Sequence, residues 1–188
     1  MKHFILITSP PASGKTFVAK QLAKMLGECV YLDKDALIPL SKQIFRVAQE
    51  PFDRSSDFFE EHVRNYEYLA VMEVAFEALE FSRFVLINAP FTRELRDEQY
   101  LAGLRQKLKT MDAKLSVVWV HTDIEVCRQR MIARNSERDT WKLNHWEEYV
   151  ASVNFDPPPL KNLWGIDNST GYSYHKPLTD LAKTLQNS

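Results

Sequence analysis

The chain has 188 residues and a formal net charge of −1, with 45% hydrophobic and 26% charged residues, the proportions of a soluble globular protein with one sizeable core. So small a charge gives no global attraction to nucleic acid or to an anionic membrane, and no apolar run approaches the ~20 residues of a membrane span. Cys29 and Cys127 stand in apolar settings without metal-ligand spacing and read as buried thiols; Lys2-His3 plus a short apolar run is too little for a signal peptide, so the cytoplasm is the expected compartment.

Phe4-Ile5-Leu6-Ile7 reads as a buried strand of a parallel sheet, and Phe17 to Leu26 as a helix with Val18, Leu22 and Met25 at helical spacing. Between them lies Ser9-Pro10-Pro11-Ala12-Ser13-Gly14-Lys15-Thr16. It fits G-x-x-x-x-G-K-[ST] except that Ser9 occupies the first glycine position. Strand, tight loop and helix N-terminus form a phosphate trap, in which loop amides and the helix end surround an anion and Lys15 adds a full charge. Thr16 beside it offers a hydroxyl to Mg²⁺. Nucleotide contacts are therefore expected from residues 9–17, Phe17 included.

Gly27 is placed to end the helix, and residues 28–32 read as a second strand running into Asp33-Lys34-Asp35. Two acids at the carboxyl end of a parallel strand point into the crevice where such sheets bind ligands. One can assist Mg²⁺ while the other takes a proton from a substrate hydroxyl; the alternative is a solvated turn with Asp35 capping the next helix. Ala36 to Gln49 is a predicted helix, followed by a long one from about Phe58 to Phe81. Its apolar positions Phe59, Val63, Tyr66, Ala70, Val74, Ala78 and Phe81 follow the helical period, widened by Leu69, Met72, Phe76 and Leu79. Segment 36–66 follows the paired acids and is the expected substrate-facing part.

Residues 83–87 form the predicted third strand, which ends at Asn88, where many phosphate-loop proteins carry an acid that helps hold Mg²⁺ through water. Arg93 and Arg96 lie just beyond, placed to bind an anionic substrate or the transferred phosphate, or else part of a charged surface helix. After a helix to about Met111 comes a fourth strand over 115–120. Thr122-Asp123-Ile124-Glu125 then fits the capping box of a helix carrying Arg130, Arg134 and Arg138 at four-residue spacing. Such a positive face over the nucleotide would act on the transferring phosphoryl group; the alternative is surface charge partnered by Glu125, Glu137 and Asp139. A helix over 141–153, a break at Asp156-Pro157-Pro158-Pro159, a weak fifth strand over 162–168 and a last helix over 176–185 complete the chain, with 168–174 as an adenine neighbour. His121, His145 and His175 are scattered and support neither zinc binding nor histidine-based catalysis.

Ser9 to Thr16, Asp33-Lys34-Asp35, Asn88 to Glu94 and the Arg130/Arg134/Arg138-Asp139 spacing together resemble one group, the small phosphate-loop kinases known as AAA-type ATP-binding proteins. The group is similar to gluconate kinase, shikimate kinase, chloramphenicol phosphotransferase and the zeta-toxin kinases. The resemblance implies a P-loop NTPase fold: a three-layer α/β/α domain over 1–188 with a five-stranded parallel sheet in order 2-3-1-4-5. It also implies ATP·Mg²⁺ as donor, a helical lid over about 123–145 and a second-strand Asp as base. The stretch with Arg93 and Arg96-Asp97 is similar to that of gluconate kinase.

Taken together, the expected function is transfer of the γ-phosphoryl group of ATP to a hydroxyl of a small molecule. Lys15, Asp35, Arg130 and Arg134 are the expected catalytic residues, and Arg130 also touches nucleotide. Thr16 and Asp33 are assigned to the metal, and Asp33, Asp35, Arg93 and Arg96 to the acceptor. The alternatives are a nucleotide-binding switch or slow ATPase, and a kinase of a macromolecule such as a nucleic-acid end, which the net charge disfavours.

Overall fold

Alternate residues of the first strand are buried on opposite faces, the pattern of a central parallel strand covered on both sides. In the computed structural model, β1 (Lys2–Thr8) puts Phe4 and Leu6 into one core and Ile5 and Ile7 into another, each with no solvent exposure. The structure describes the backbone of residues 1–188 and every side chain except those of Glu137 and Arg138. Around β1 lie β2 (Cys29–Asp33), β3 (Phe84–Asn88), β4 (Ala113–His121) and β5 (Leu163–Asp167), all parallel, in the order β2-β3-β1-β4-β5. This is the strand order expected from the sequence resemblance.

Helices α1 (Lys15–Leu26) and α9 (His175–Gln186) cover one face, burying Val18, Leu22, Leu178 and Leu181 against Ile5, Ile7, Val118 and Val120. The other face is covered by α4 (Asn65–Phe81) and α5 (Glu98–Thr110), through Met72, Phe76, Leu79, Leu101 and Leu104. Each fully buried aliphatic or aromatic side chain contributes roughly 1.5–3 kcal/mol of transfer free energy, so both layers are held chiefly by these contacts. Cys29 and Cys127 are free thiols. Among the described residues no helix is long and apolar enough to cross a membrane.

The long helix departs from the expected phase. A first turn, α3 (Asp57–Phe59), is capped by Ser56, and a π-helical turn over Glu60–Arg64 then joins it to α4. The wider turn inserts one residue into the repeat. Phe59 and Val63 are buried as the spacing predicts, but beyond the turn Tyr68, Met72 and Phe76 take over. Tyr66, Leu69, Val74 and Phe81, expected inside, are 64, 56, 50 and 85% exposed.

The segment after β4 also differs from expectation. Helix α6 (Ile124–Arg134) is capped by Asp123, whose carboxylate accepts from the amides of Glu125 and Val126. Thr122, the expected cap, instead donates its hydroxyl to the Ser13 carbonyl at 2.9 Å. Asn135, left-handed at φ 44°, ends α6, so Arg138 falls on the next helix, α7 (Glu137–Asn144), rather than in one row with Arg130 and Arg134. The Arg138 side chain lies outside the described residues. Helix α8 (Trp146–Ser152) follows, and α2 (Ile38–Ala48) lies between β2 and α3.

Candidate active site

The loop between β1 and α1 is shaped by two left-handed residues, Ala12 at φ 64° and Gly14 at φ 80°. Ser9 is not among the residues with positive φ, so replacing glycine there carries no left-handed strain. Its hydroxyl turns into the loop and donates to the Pro10 carbonyl at 2.8 Å, as does that of Ser13 at 3.0 Å. At Gly14 a Cβ would overlap the Asn168 side-chain amide. That amide donates to the Ser13 carbonyl at 2.8 Å, next to the Thr122 bond, so the loop is stapled to the ends of both β4 and β5.

Asn88, 1% exposed at the end of β3, is the hub beneath the loop. Its Oδ1 accepts from Lys15 Nζ at 2.6 Å, and its Nδ2 faces Thr16 Oγ1 at 3.0 Å, Tyr31 OH at 3.1 Å and Asp33 Oδ2 at 2.7 Å. An ammonium can only donate and a carboxylate only accept, which fixes the amide's orientation. Burial pulls the Lys15 ammonium down to about 8, against the opposing pull of Asp33 and Asp35. Burial and the neighbouring Asp33 charge push the Tyr31 phenol up.

The two acids after β2 divide their work. Asp33 caps the 3₁₀ turn Lys34–Leu37 by accepting from the Asp35 amide at 3.0 Å, and its Oδ2 also accepts from Tyr31 OH at 2.9 Å. Asp33, expected at the metal, thus accepts from three donors, two at Oδ2 and one at Oδ1, which leaves one of its four lone-pair sites uncommitted. Asp35 is not the helix cap; its side chain is 56% exposed and lines a cavity of about 980 Å³ together with Lys15, Thr16 and the loop.

Lys34 between them is buried against Glu67 at 2.6 Å, with its ammonium 5.3 Å from the Tyr68 ring centroid. The Glu67 carboxylate also takes both guanidinium arms of Arg54, at 2.7 and 2.8 Å, and the Ser41 hydroxyl at 2.5 Å. Burial alone would raise this carboxyl, but the bonds from Arg54, Lys34 and Ser41 hold it below its ordinary value. Sequence reading missed this cluster and Tyr31. A charge inside the apolar face of a helix was the available signal for Glu67, hidden by the phase shift of the π turn. Segment 36–66, expected to face the substrate, contributes no lining residue to the cavity among those described; it is tied behind Asp35 by Glu67.

The opposite walls come from Pro90–Thr92, Arg96, Arg134, Lys142 and residues 152–154. Arg96 donates to the Asp156 carbonyl at 2.6 Å. Arg93, paired with it in the sequence reading, lies outside the lining in an exposed ion pair with Glu60 at 2.6 Å. Arg134 and Lys142 share the fully buried Asp139 at 2.5 and 3.3 Å. Arg130 donates to the Asn168 carbonyl at 2.7 Å and stands between the large cavity and one of about 300 Å³, which Gly14, Phe17, Thr170 and Tyr174 also line.

A family model described as an AAA domain, AAA_33, matches residues 5–156. A search of curated proteins returned no match. Among solved structures, a gluconokinase from Sinorhizobium meliloti is similar at 18% identity over 97% of this chain and 93% of its own, with a TM-score of 0.59. The APS kinase CysC of Mycobacterium tuberculosis, solved with AMPPNP and APS, is 17% identical over 100% and 98%, with a TM-score of 0.55. Kti12 of Chaetomium thermophilum, solved with ADP-AlF3, is 17% identical over 97% of each chain, with a TM-score of 0.57. At such identities the structural likeness speaks for the fold. The family match covers most of the chain, and by it this protein belongs to the AAA_33 family of phosphate-loop domains.

Proposed function

We propose that the protein is an ATP-dependent phosphotransferase that moves the γ-phosphoryl group of ATP to a hydroxyl of a small molecule in the cytoplasm. The observation that carries this reading is that Lys15 of the phosphate loop and the exposed carboxylate of Asp35 line one cavity of about 980 Å³, with room for a second substrate beside the nucleotide phosphates.

In this reading the loop amides and Lys15 hold the phosphates, and the 300 Å³ cavity beside Phe17 and Tyr174 takes the base. The acceptor oxygen attacks the γ-phosphorus and its proton passes to Asp35, while the bond to the β–γ bridging oxygen breaks and ADP leaves. Arg134, with its charge shared against Asp139, and Arg130 between the cavities supply positive charge to the transferring group. The residues present suit a divalent ion: the Thr16 hydroxyl and, through water, Asp33 would hold Mg²⁺. When bound, the ion neutralises charge on the phosphate oxygens. A nucleotide-dependent switch is the second reading, favoured by Asn88, which puts an amide where an acid would assist the metal.

Product analysis after incubation with ATP and a metabolite extract tests the proposal. We expect a new phosphorylated compound, formed in proportion to ADP and absent with Lys15→Ala. ATP consumption that no extract accelerates, or that Lys15→Ala leaves at the parent's rate, would overturn it.

A further inference from the structure

Successive side chains of β4 point to opposite faces of the sheet. Val118 and Val120 enter the core beneath α1 and α9, and Val117 enters the core beneath α4 and α5. Trp119 lies on the same face as Val117 and is 4% exposed, yet it belongs to neither core. It lines the large cavity instead. The strand pairing explains why. Trp119 is in register with Thr8 of β1 and with Gly165 of β5, so a small residue flanks the indole on each side. A Cβ added at Gly165 would meet nothing within 4 Å, and glycine inside a strand often marks a place where a ligand or another backbone comes close.

An indole has one donor and no acceptor, and a buried one usually finds a partner. Among the described residues the Trp119 N–H has none. Nor is it one of the enclosed unpartnered atoms, which are His3 Nδ1, Glu94 Oε2 and Tyr149 OH. The N–H therefore opens on the cavity that the ring lines. The nearest hydroxyl in the sheet is committed, since Thr8 donates to the Pro90 carbonyl. Phe91, Val153 and Pro158 line the same cavity and bring only C–H surface from their side chains. Among such groups a free N–H fixes where an oxygen of a bound compound can lie.

We propose that Trp119 binds the acceptor by donating its indole N–H to an oxygen other than the hydroxyl that takes the phosphate. The acceptor is then a polyoxygenated compound, with its reacting hydroxyl toward Asp35 and a second oxygen on Trp119. β2, which leads into Asp35, and β4 stand three strand spacings apart, roughly 14 Å, so such a compound reaches across the cavity. The reacting hydroxyl rests on the phosphotransferase reading, whereas the second oxygen rests on the Trp119 N–H.

Two measurements test it, both with the small-molecule fraction of a cell extract as the probe. In the first, protein labelled with ¹⁵N-tryptophan and loaded with AMPPNP·Mg²⁺ is titrated with that fraction while its indole N–H signals are followed by NMR. The signal missing from Trp119→Phe, or from Trp119→Tyr if the phenylalanine variant melts early, is that of Trp119. We expect it to move saturably downfield, while that of Trp164, packed on the opposite face, stays in place. In the second, ADP release is measured against extract concentration. Trp119→Phe keeps an apolar ring and loses the donor. The extract needed for half-maximal rate should rise about 3- to 10-fold, the range for one neutral hydrogen bond, with the maximal rate and AMPPNP affinity nearly unchanged. A merely structural tryptophan would lower the melting temperature without moving half-saturation. A Trp119 signal that stays put at extract concentrations that saturate ADP release, or a half-saturation unchanged in Trp119→Phe, removes this contact and leaves the kinase reading standing. A saturable Trp119 shift with no ADP release at any extract concentration does the reverse. Neither a shift nor release overturns both.

Discussion

Around Gly14 the chain is fixed by main-chain groups, whereas behind Asp35 it is fixed by buried charge. On the nucleotide side, two left-handed residues, the Ser13 carbonyl and the amides of Asn88 and Asn168 shape the loop, and the one ionisable partner, Lys15, has no carboxylate within salt-bridge reach among the described residues. Behind Asp35, the proposed acceptor side, one carboxylate, Glu67, gathers Lys34, Arg54 and Ser41 from three separate stretches. On the proposed phosphotransferase reading, the difference follows from what each side binds. A phosphate loop must keep its amides and its ammonium uncommitted until an anion arrives, so neutral groups hold it. The side carrying Asp35 has to keep a single carboxylate exposed, and a closed ionic cluster does this without offering that carboxylate a partner nearer than Lys34 at 4.0 Å.

Breaking the charged cluster should have the largest effect on stability. Glu67→Ala leaves Arg54 without a carboxylate among the described residues and Lys34, 4% exposed, with none nearer than the exposed Asp35 at 4.0 Å, and losing one member of such a cluster costs about 3–5 kcal/mol. Urea denaturation measures this; a loss below about 1 kcal/mol would mean that packing, not charge, holds the acceptor side. Because the Glu67 carboxyl lies below its unfolded value, its contribution is fully present above about pH 4.5 and lost as pH falls through the folded value.

Gly14→Ala comes next. The left-handed backbone costs an L-residue roughly 1–2 kcal/mol, and displacing Asn168 forfeits a further bond of about 1 kcal/mol. Weaker nucleotide binding should accompany the loss, read by calorimetry with AMPPNP. An unchanged affinity would show that the staple to β5 plays no part in the nucleotide side.

Lys15→Met acts in the opposite direction. Burial depresses the folded pKa of Lys15 to about 8 from 10.5, so the empty protein carries the cost of the charge below pH 8. The parent therefore gains stability as pH rises from about 8 toward 10.5, where the folded chain gives up its proton first. The methionine variant should lack that rise and, at neutral pH without nucleotide, melt a few degrees higher, with about 1 kcal/mol moving Tm by roughly 2–4 °C at this size. A lower melting temperature would mean that the Lys15–Asn88 contact outweighs desolvation. Smallest of all, Ala12→Gly should relieve left-handed strain at φ 64° and stabilise by no more than about 1 kcal/mol.

The nucleotide side was legible because its parts are contiguous: β1, residues 9–14 and α1 follow one another, and the trap is made within the stretch. The sheet order came from resemblance to a family, since no local pattern encodes which strands become neighbours. The acceptor side was not legible. Glu67 meets Lys34 and Ser41 across 33 and 26 residues, and the π turn that aims it inward has no sequence signature. Nor does spacing distinguish Arg96 in the cavity from Arg93 outside it; Glu60, brought alongside by the same turn, takes Arg93 away. At the start of α6, the switch of cap from Thr122 to Asp123 reflects a tertiary demand, because the phosphate loop recruits the Thr122 hydroxyl.

The most direct test of this division of labour is Asp35→Asn, assayed for AMPPNP·Mg²⁺ binding by calorimetry and for ADP release with and without a metabolite extract. The substitution keeps the size of an exposed side chain and removes its charge. If the nucleotide side is self-contained and Asp35 takes the acceptor's proton, binding should stay within a few-fold of the parent while extract-stimulated turnover falls by roughly 10² to 10⁴. Extract-stimulated turnover equal to the parent's, or binding lost together with turnover, would contradict it.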